Sequence, residues 1–193
     1  MDLFISFVFG TIASLLASYL YARYSSMVIQ NRYKSLEGWW VEIIETSNDR
    51  SYSLAQFAFD PKTNTYSFDG TNFKNNGDVF CSWSSISVQV EQTSRRILYI
   101  FRAGITGANH LENHGFGVIN FSVNKSGEPV PESGYYIEAK QDDIPHTHSI
   151  ESLDSVSSRL GIVSMSGESV ESFHKRIVMT LHAQRSSVTH KTC

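Results

Sequence analysis

The sequence predicts an all-β protein: a small antiparallel up-and-down β-barrel of about eight strands with a C-terminal helix, preceded by one N-terminal transmembrane helix. Three observations predict it. Leu3 to Ala22 contains no charged residue. From Gly38 onward, short β-type runs alternate with turn residues. Near the end, Val170, Phe173, Ile177, Val178 and Leu181 fall at helical spacing. The implied division is a membrane helix over 1–24, a connector over 25–35 and a barrel domain over 36–193.

Twenty helical residues rise about 30 Å, the thickness of a bilayer's hydrocarbon core. A cleaved secretory signal would begin with a basic stretch, whereas this chain begins Met1-Asp2 and shows no A-x-A site after the apolar run. Basic residues follow the span at Arg23, Arg32 and Lys34. The positive-inside rule therefore expects a single-pass protein with its C-terminal domain in the cytoplasm. Ser6, Gly10, Ser14, Ser18 and Ala22 recur every four residues along this helix. Small residues at that spacing let two helix backbones approach closely, so this strip is the expected face for membrane-helix association.

The expected strands are Gly38–Glu45, Tyr52–Phe59, Thr65–Phe73, Val79–Glu91, Arg96–Arg102, Phe116–Asn124, Tyr135–Lys140 and Arg159–Met165. Short links between sequential strands make a meander, and about eight strands can close on themselves and remove exposed edges. A two-sheet sandwich is the alternative. Glu168–Gln184 is expected to be a helix on the barrel wall, with a last strand over Arg176–His182 as its alternative. Gly38-x-Trp40 looks like the G-x-W opening of lipocalin-like barrels, in which the Trp plugs the closed end.

The formal net charge of -3 argues against a general nucleic-acid binder, so no DNA or RNA polymer is expected as partner. Two cysteines, Cys81 and Cys193, make neither a disulfide framework nor a zinc cluster. No P-loop, nucleophile elbow or dinucleotide glycine pattern is present, and the chain is not expected to be an enzyme. His110-x3-His114 and His146-x-His148, with Asp142 and Asp143 nearby, lack a strong metal spacing; neither a metal nor a cofactor is expected.

If the chain enters a barrel at its plugged end, alternate loops gather at the other end, and two of them, Ala103–Gly115 and Gln141–Ser158, are the longest in the domain. Tyr52, Arg102, Asn109, His110, Lys140 and Arg159 are the candidate ligand-binding residues there. Cationic groups neutralise phosphates and aromatic faces stack on bases, so such a mouth suits a compact anionic nucleotide.

A membrane segment, a connector and an aromatic-rich minimal barrel beginning Leu36-Glu37-Gly38-Trp39-Trp40 resemble the transmembrane β-barrel effectors of bacterial CBASS antiphage systems, the SMODS-associated membrane β-rich family. The resemblance spans the whole chain and rests on architecture. It implies an effector in the bacterial inner membrane that binds a cyclic oligonucleotide, typically a cyclic dinucleotide, and oligomerises within the lipid to disrupt that membrane and kill the infected cell. The family is often described with two membrane helices; this chain shows one clear span. A membrane-anchored, lipocalin-like carrier of a small apolar ligand is the competing expectation.

Overall fold

The computed structural model describes residues 2–45, 50–74, 76–105, 112–139 and 145–189. Helix α1 (Asp2–Tyr33) runs through one 3-10 turn, Lys34–Leu36, into eight strands: β1 Gly38–Glu45, β2 Arg50–Asp60, β3 Thr65–Phe73, β4 Val79–Glu91, β5 Arg96–Ile105, β6 Glu112–Val123, β7 Pro129–Glu138 and β8 His146–Ser152. Helices α2 (Leu153–Leu160) and α3 (Val170–Thr189) complete the chain. Each strand pairs antiparallel with the next, and β1 pairs with β8 from Trp40 opposite Ser152 to Glu45 opposite Thr147, so the barrel is closed. This is the predicted fold class.

At 1.5 Å per residue the 32 residues of α1 extend about 48 Å, more than a bilayer's hydrocarbon core requires. It is long and apolar enough to cross a membrane, and none of that apolar stretch is buried by the rest of the chain. The polar segment from Ser25 continues the same helix to Tyr33 and is no loop. Its last turns dock on the barrel: Ile29 packs against the core, while Tyr33 and Leu36 are buried in it. The Tyr66 hydroxyl donates to the Ile29 carbonyl at 3.2 Å, and the Ser35 hydroxyl to the Pro129 carbonyl at 3.1 Å. Trp40 is buried beside them, so the end of the barrel that α1 enters is plugged by side chains.

Strand periodicity of two sorts residues between the two faces of the wall. Ala55, Phe57, Phe68, Ile97, Tyr99, Phe101, Ile119 and Ile150 fill the interior. Val41, Tyr52, Leu54 and Phe73 point the other way and are covered by Leu153 and Val156 of α2 and by Ile177, Val178 and Leu181 of α3. Two cores therefore share the wall formed by β1–β3. The Arg176 guanidinium fastens α3 by donating to both Glu168 oxygens, at 2.8 and 2.7 Å, and to the Val163 carbonyl at 2.9 Å.

The structure corrects the last third of the strand list. Strand β7 starts at Pro129 rather than Tyr135. Strand β8 is His146–Ser152, whereas 159–165 begins at the end of α2 and continues as non-strand chain. Helix α2 itself is capped at its start by the Ser152 hydroxyl, which accepts from the Ser155 amide, and at its end by Gly161 at φ 67°. The stretch Arg176–His182 is helical.

Candidate functional site

The strand order puts the last residues of β1, β3, β5 and β7 and the first residues of β2, β4, β6 and β8 at the end of the barrel opposite α1. Just inside that distal end lies a cavity of about 40 Å³ lined by Glu42, Ile44, Asn72, Cys81, Trp83, Tyr99, Phe101, Ala103, Tyr136 and Glu138. Such a volume holds one or two waters.

Each lining side chain is aimed inward by its strand register. Trp40, Glu42 and Ile44 alternate along β1, with Trp39, Val41 and Ile43 on the opposite face. Along β5 the inward set is Tyr99, Phe101 and Ala103. Rings pack edge to face around the space, with Trp83 and Phe101 centroids 6.1 Å apart and Phe101 and Tyr136 centroids 5.9 Å apart. Gly115 and Gly117 of β6 leave room for the Phe101 and Tyr99 rings, since a Cβ at either glycine would overlap them. The Trp83 indole N–H donates to Asn72 Oδ1 at 3.2 Å and to Ser53 Oγ at 3.4 Å.

Glu42 is 3 % exposed among these rings, and its Oε1 has no hydrogen-bond partner. Burial pushes its pKa up to about 7, against the opposing pull of the Ser53 hydrogen bond. On the adjoining strand β8, the His148 Nδ1 stands 3.6 Å from Glu42 Oε1, beyond hydrogen-bonding distance. Both ring nitrogens of His148 lack partners, and burial pulls its pKa down to about 4. Burial likewise raises the Tyr99 hydroxyl, with Glu42 adding to the effect, and the Tyr136 hydroxyl, with Glu138 and Glu42 adding. Burial also raises the Cys81 thiol, with Glu138 adding to it. The cavity is thus an aromatic box with two carboxyl groups in its wall, and among the described residues no Lys or Arg lines it.

The residues expected at the mouth have dispersed. Tyr52 lies on the outer face of β2 beneath α3, its ring centroid 4.6 Å from that of His182. Arg102 is exposed on the outer wall of β5, opposite Ser84 and His114. Arg159 belongs to the last turn of α2 and donates to Glu151 at 2.9 Å on the outer wall. Asn109, His110 and Lys140 lie outside the described residues. None of the three described candidates lines the cavity. At the distal end, Arg50 pairs with Glu45, and the Lys175 ammonium donates to Asp78 at 2.9 Å. Ser6, Gly10, Ser14 and Ser18 are all exposed along α1. Among the described residues, no three His, Cys, Asp or Glu side chains are grouped to hold a metal.

Sequence reasoning missed Glu42, Trp83, Tyr99, Tyr136, Glu138 and His148. One signal was present: in Gly38–Glu45, Glu42 interrupts an otherwise apolar period-two face between Trp40 and Ile44. A second and larger cleft, about 490 Å³, lies at the anchor end between Ser35–Trp40, Glu128–Pro131 and Ile150–Ser155. Glu37, Glu128, Glu151 and Asp154 line it, a set that repels anions. No family model, curated protein or solved structure matches the chain.

Proposed function

We propose that this protein is a membrane-anchored receptor whose barrel takes a cyclic oligonucleotide, most simply a cyclic dinucleotide, at the end distal to the anchor. Binding then drives association of the anchors in the bacterial inner membrane and disrupts it, an antiphage effector of the kind the sequence resembles. The observation that carries this reading is the polarity of the barrel. One continuous helix runs from the apolar stretch into a plugged end, held by Tyr33, Leu36 and the Tyr66–Ile29 hydrogen bond. The pocket with its buried, unpartnered carboxyl group sits at the other end. An event at the distal end therefore has a packed core, rather than a flexible linker, between it and the membrane helix.

The residual cavity bears on the competing reading. A carrier of an apolar molecule encloses a pocket of roughly 300–1,000 Å³. This interior is filled by its own rings, leaving about 40 Å³. A cyclic dinucleotide would lie across the distal rim, with its phosphates outside the box and one edge within. Lateral association also has a surface beyond the membrane: Ile100 and Phe116 are direct cross-strand neighbours on the wall that α2 and α3 leave uncovered, 49 % and 39 % exposed. A ligand that binds the associated state better than the monomer shifts the equilibrium by that difference in affinity, and confinement to one bilayer raises the effective concentration of neighbours.

The test is reconstitution of the full chain into dye-loaded vesicles. Cyclic di-GMP or cyclic di-AMP should release the dye in a concentration-dependent way, while linear dinucleotides and fatty acids should not. Binding without leakage would remove the effector role; absence of binding to any cyclic oligonucleotide would remove the receptor role.

A further inference from the structure

We infer that the distal pocket reads the Watson–Crick edge of a guanine, with the Glu42 carboxylate accepting its adjacent N–H donors. The inference rests on the receptor reading above and specifies the base that enters. Three observations carry it. Glu42 is buried and lines the cavity, yet its Oε1 has no hydrogen-bond partner, so the pocket wall carries an unused acceptor. Glu138 adds a second carboxylate to the lining, and none of the described lining residues is a Lys or Arg that could neutralise a phosphate inside. Finally, a volume that holds one or two waters admits only the polar edge of a planar group, not its whole body.

Among the bases, those constraints select guanine. Its N1–H and N2–H₂ are neighbouring donors that match the two oxygens of one carboxylate, the arrangement that makes bidentate guanidinium–carboxylate pairs strong. Adenine places the N1 lone pair beside its amino group, and uracil flanks N3–H with two carbonyls. Either sets a lone pair against the ionised carboxylate in a site screened from water, where a mismatched acceptor is costly.

The experiment is equilibrium binding to the full chain in nanodiscs at pH 8, with cyclic di-GMP, cyclic di-AMP and choline as probes. The wild-type protein should prefer cyclic di-GMP by about tenfold or more. Glu42→Gln, which turns one acceptor into a donor without changing shape, should remove that preference, weakening cyclic di-GMP while cyclic di-AMP, whose adenine N1 now meets a donor, binds at least as tightly as before. Ala103→Phe, placed at the pocket wall away from the buried carboxyl, should weaken cyclic di-GMP by a similar factor through occlusion. Equal affinity for the two dinucleotides, or a preference that survives both substitutions, overturns the guanine assignment and leaves the receptor reading standing. Displacement of cyclic di-GMP by choline overturns it in favour of an organic cation held by the aromatic box. Failure of both dinucleotides to bind overturns the guanine assignment, and the receptor reading falls with it only when no other cyclic oligonucleotide binds.

Discussion

Glu42 on β1 and His148 on the adjoining strand β8 are diagonal neighbours on the inner face of the barrel wall, 3.6 Å apart, with opposite displacements of their titrations. Desolvation explains both, because burial disfavours the anionic carboxylate and the cationic imidazolium alike. The neutral carboxyl and neutral imidazole are the stable pairing at mildly acidic pH. Among the described residues, Ser53, Asn72, Cys81, Trp83, Tyr99, Tyr136 and Glu138 are the other polar groups coupled to Glu42 or lining its cavity, and none supplies a positive charge.

A pH dependence of stability follows. Folded Glu42 keeps its proton up to about pH 7, whereas the unfolded group loses it near 4.5. Across that window the unfolded chain holds fewer protons, so stability falls as pH rises, by about 3 kcal/mol in all. Folded His148 stays neutral down to about pH 4, whereas the unfolded group charges below 6.5, so its contribution rises with pH by a similar amount. The two nearly cancel in the wild-type protein. Glu42→Gln should unmask the histidine: melting in detergent would rise steadily from pH 4 to 6.5 and then level off. A variant whose profile parallels the wild type would show that Glu42 ionises normally in the fold.

The same pair sets a packing limit at Gly134 on β7. A Cβ there would overlap His148 Nε2 and the Val118 carbonyl oxygen. The imidazole could swing aside, but the carbonyl belongs to the β6–β7 ladder and cannot move without breaking it. Gly134→Ala should therefore cost about 1–3 kcal/mol, the usual range for overpacking. Gly104→Ala is the control, since nothing lies within 4 Å of the added atom. Equal melting temperatures for the two variants would contradict this account.

Much of the barrel was legible because local signals agreed. Strands β1, β3 and β4 begin and end where the alternation and the flanking turns place them. The β2–β3 turn is fixed by Asp60, which accepts from the Lys62 amide and the Thr63 hydroxyl. Strand β8 escaped because HTHSIES carries its inward face on a histidine and one isoleucine, so hydrophobic periodicity had almost nothing to register. The start of β7 escaped because Pro129 and Pro131 read as breakers; Pro129 is tolerated as the first residue, and Pro131 sits where the register slips between Asn120 and Phe121. The site itself was misread at Tyr52 for a different reason. When helices bury the outer wall, both faces of β2 are apolar, and alternation no longer says which is inside.

Where the helix enters the barrel, Leu36 is fully buried in the core that also holds Tyr33 and Trp40. Leu36→Ala should cost about 2–5 kcal/mol, through lost burial and the cavity left behind. Tyr66→Phe removes only the hydroxyl that donates to the Ile29 carbonyl. It should cost about 1 kcal/mol and speed amide exchange in the last turns of α1 without unfolding the barrel. If Leu36→Ala melts like the wild type, the plug is not a structural part of the domain.

The apolar part of α1 and the barrel are separable. Contact between α1 and the core begins at Ile29; from Phe4 to Tyr24 the helix is exposed throughout. A bulky residue in that stretch cannot disturb the barrel by direct packing. Gly10 has nothing within 4 Å of an added Cβ, and it lies in the strip with Ser6, Ser14 and Ser18. If those small residues are where two anchors meet, Gly10→Ile will hold the backbones apart and abolish vesicle leakage. Barrel melting and cyclic di-GMP affinity should stay unchanged, because neither depends on that surface. Phe9→Ile, one position around the helix, changes a large side chain for another and should leak like the wild type. Leakage retained in Gly10→Ile, or lost equally in Phe9→Ile, would place the association face elsewhere on the helix or outside it altogether, for which the exposed Ile100–Phe116 pair is the next surface to alter.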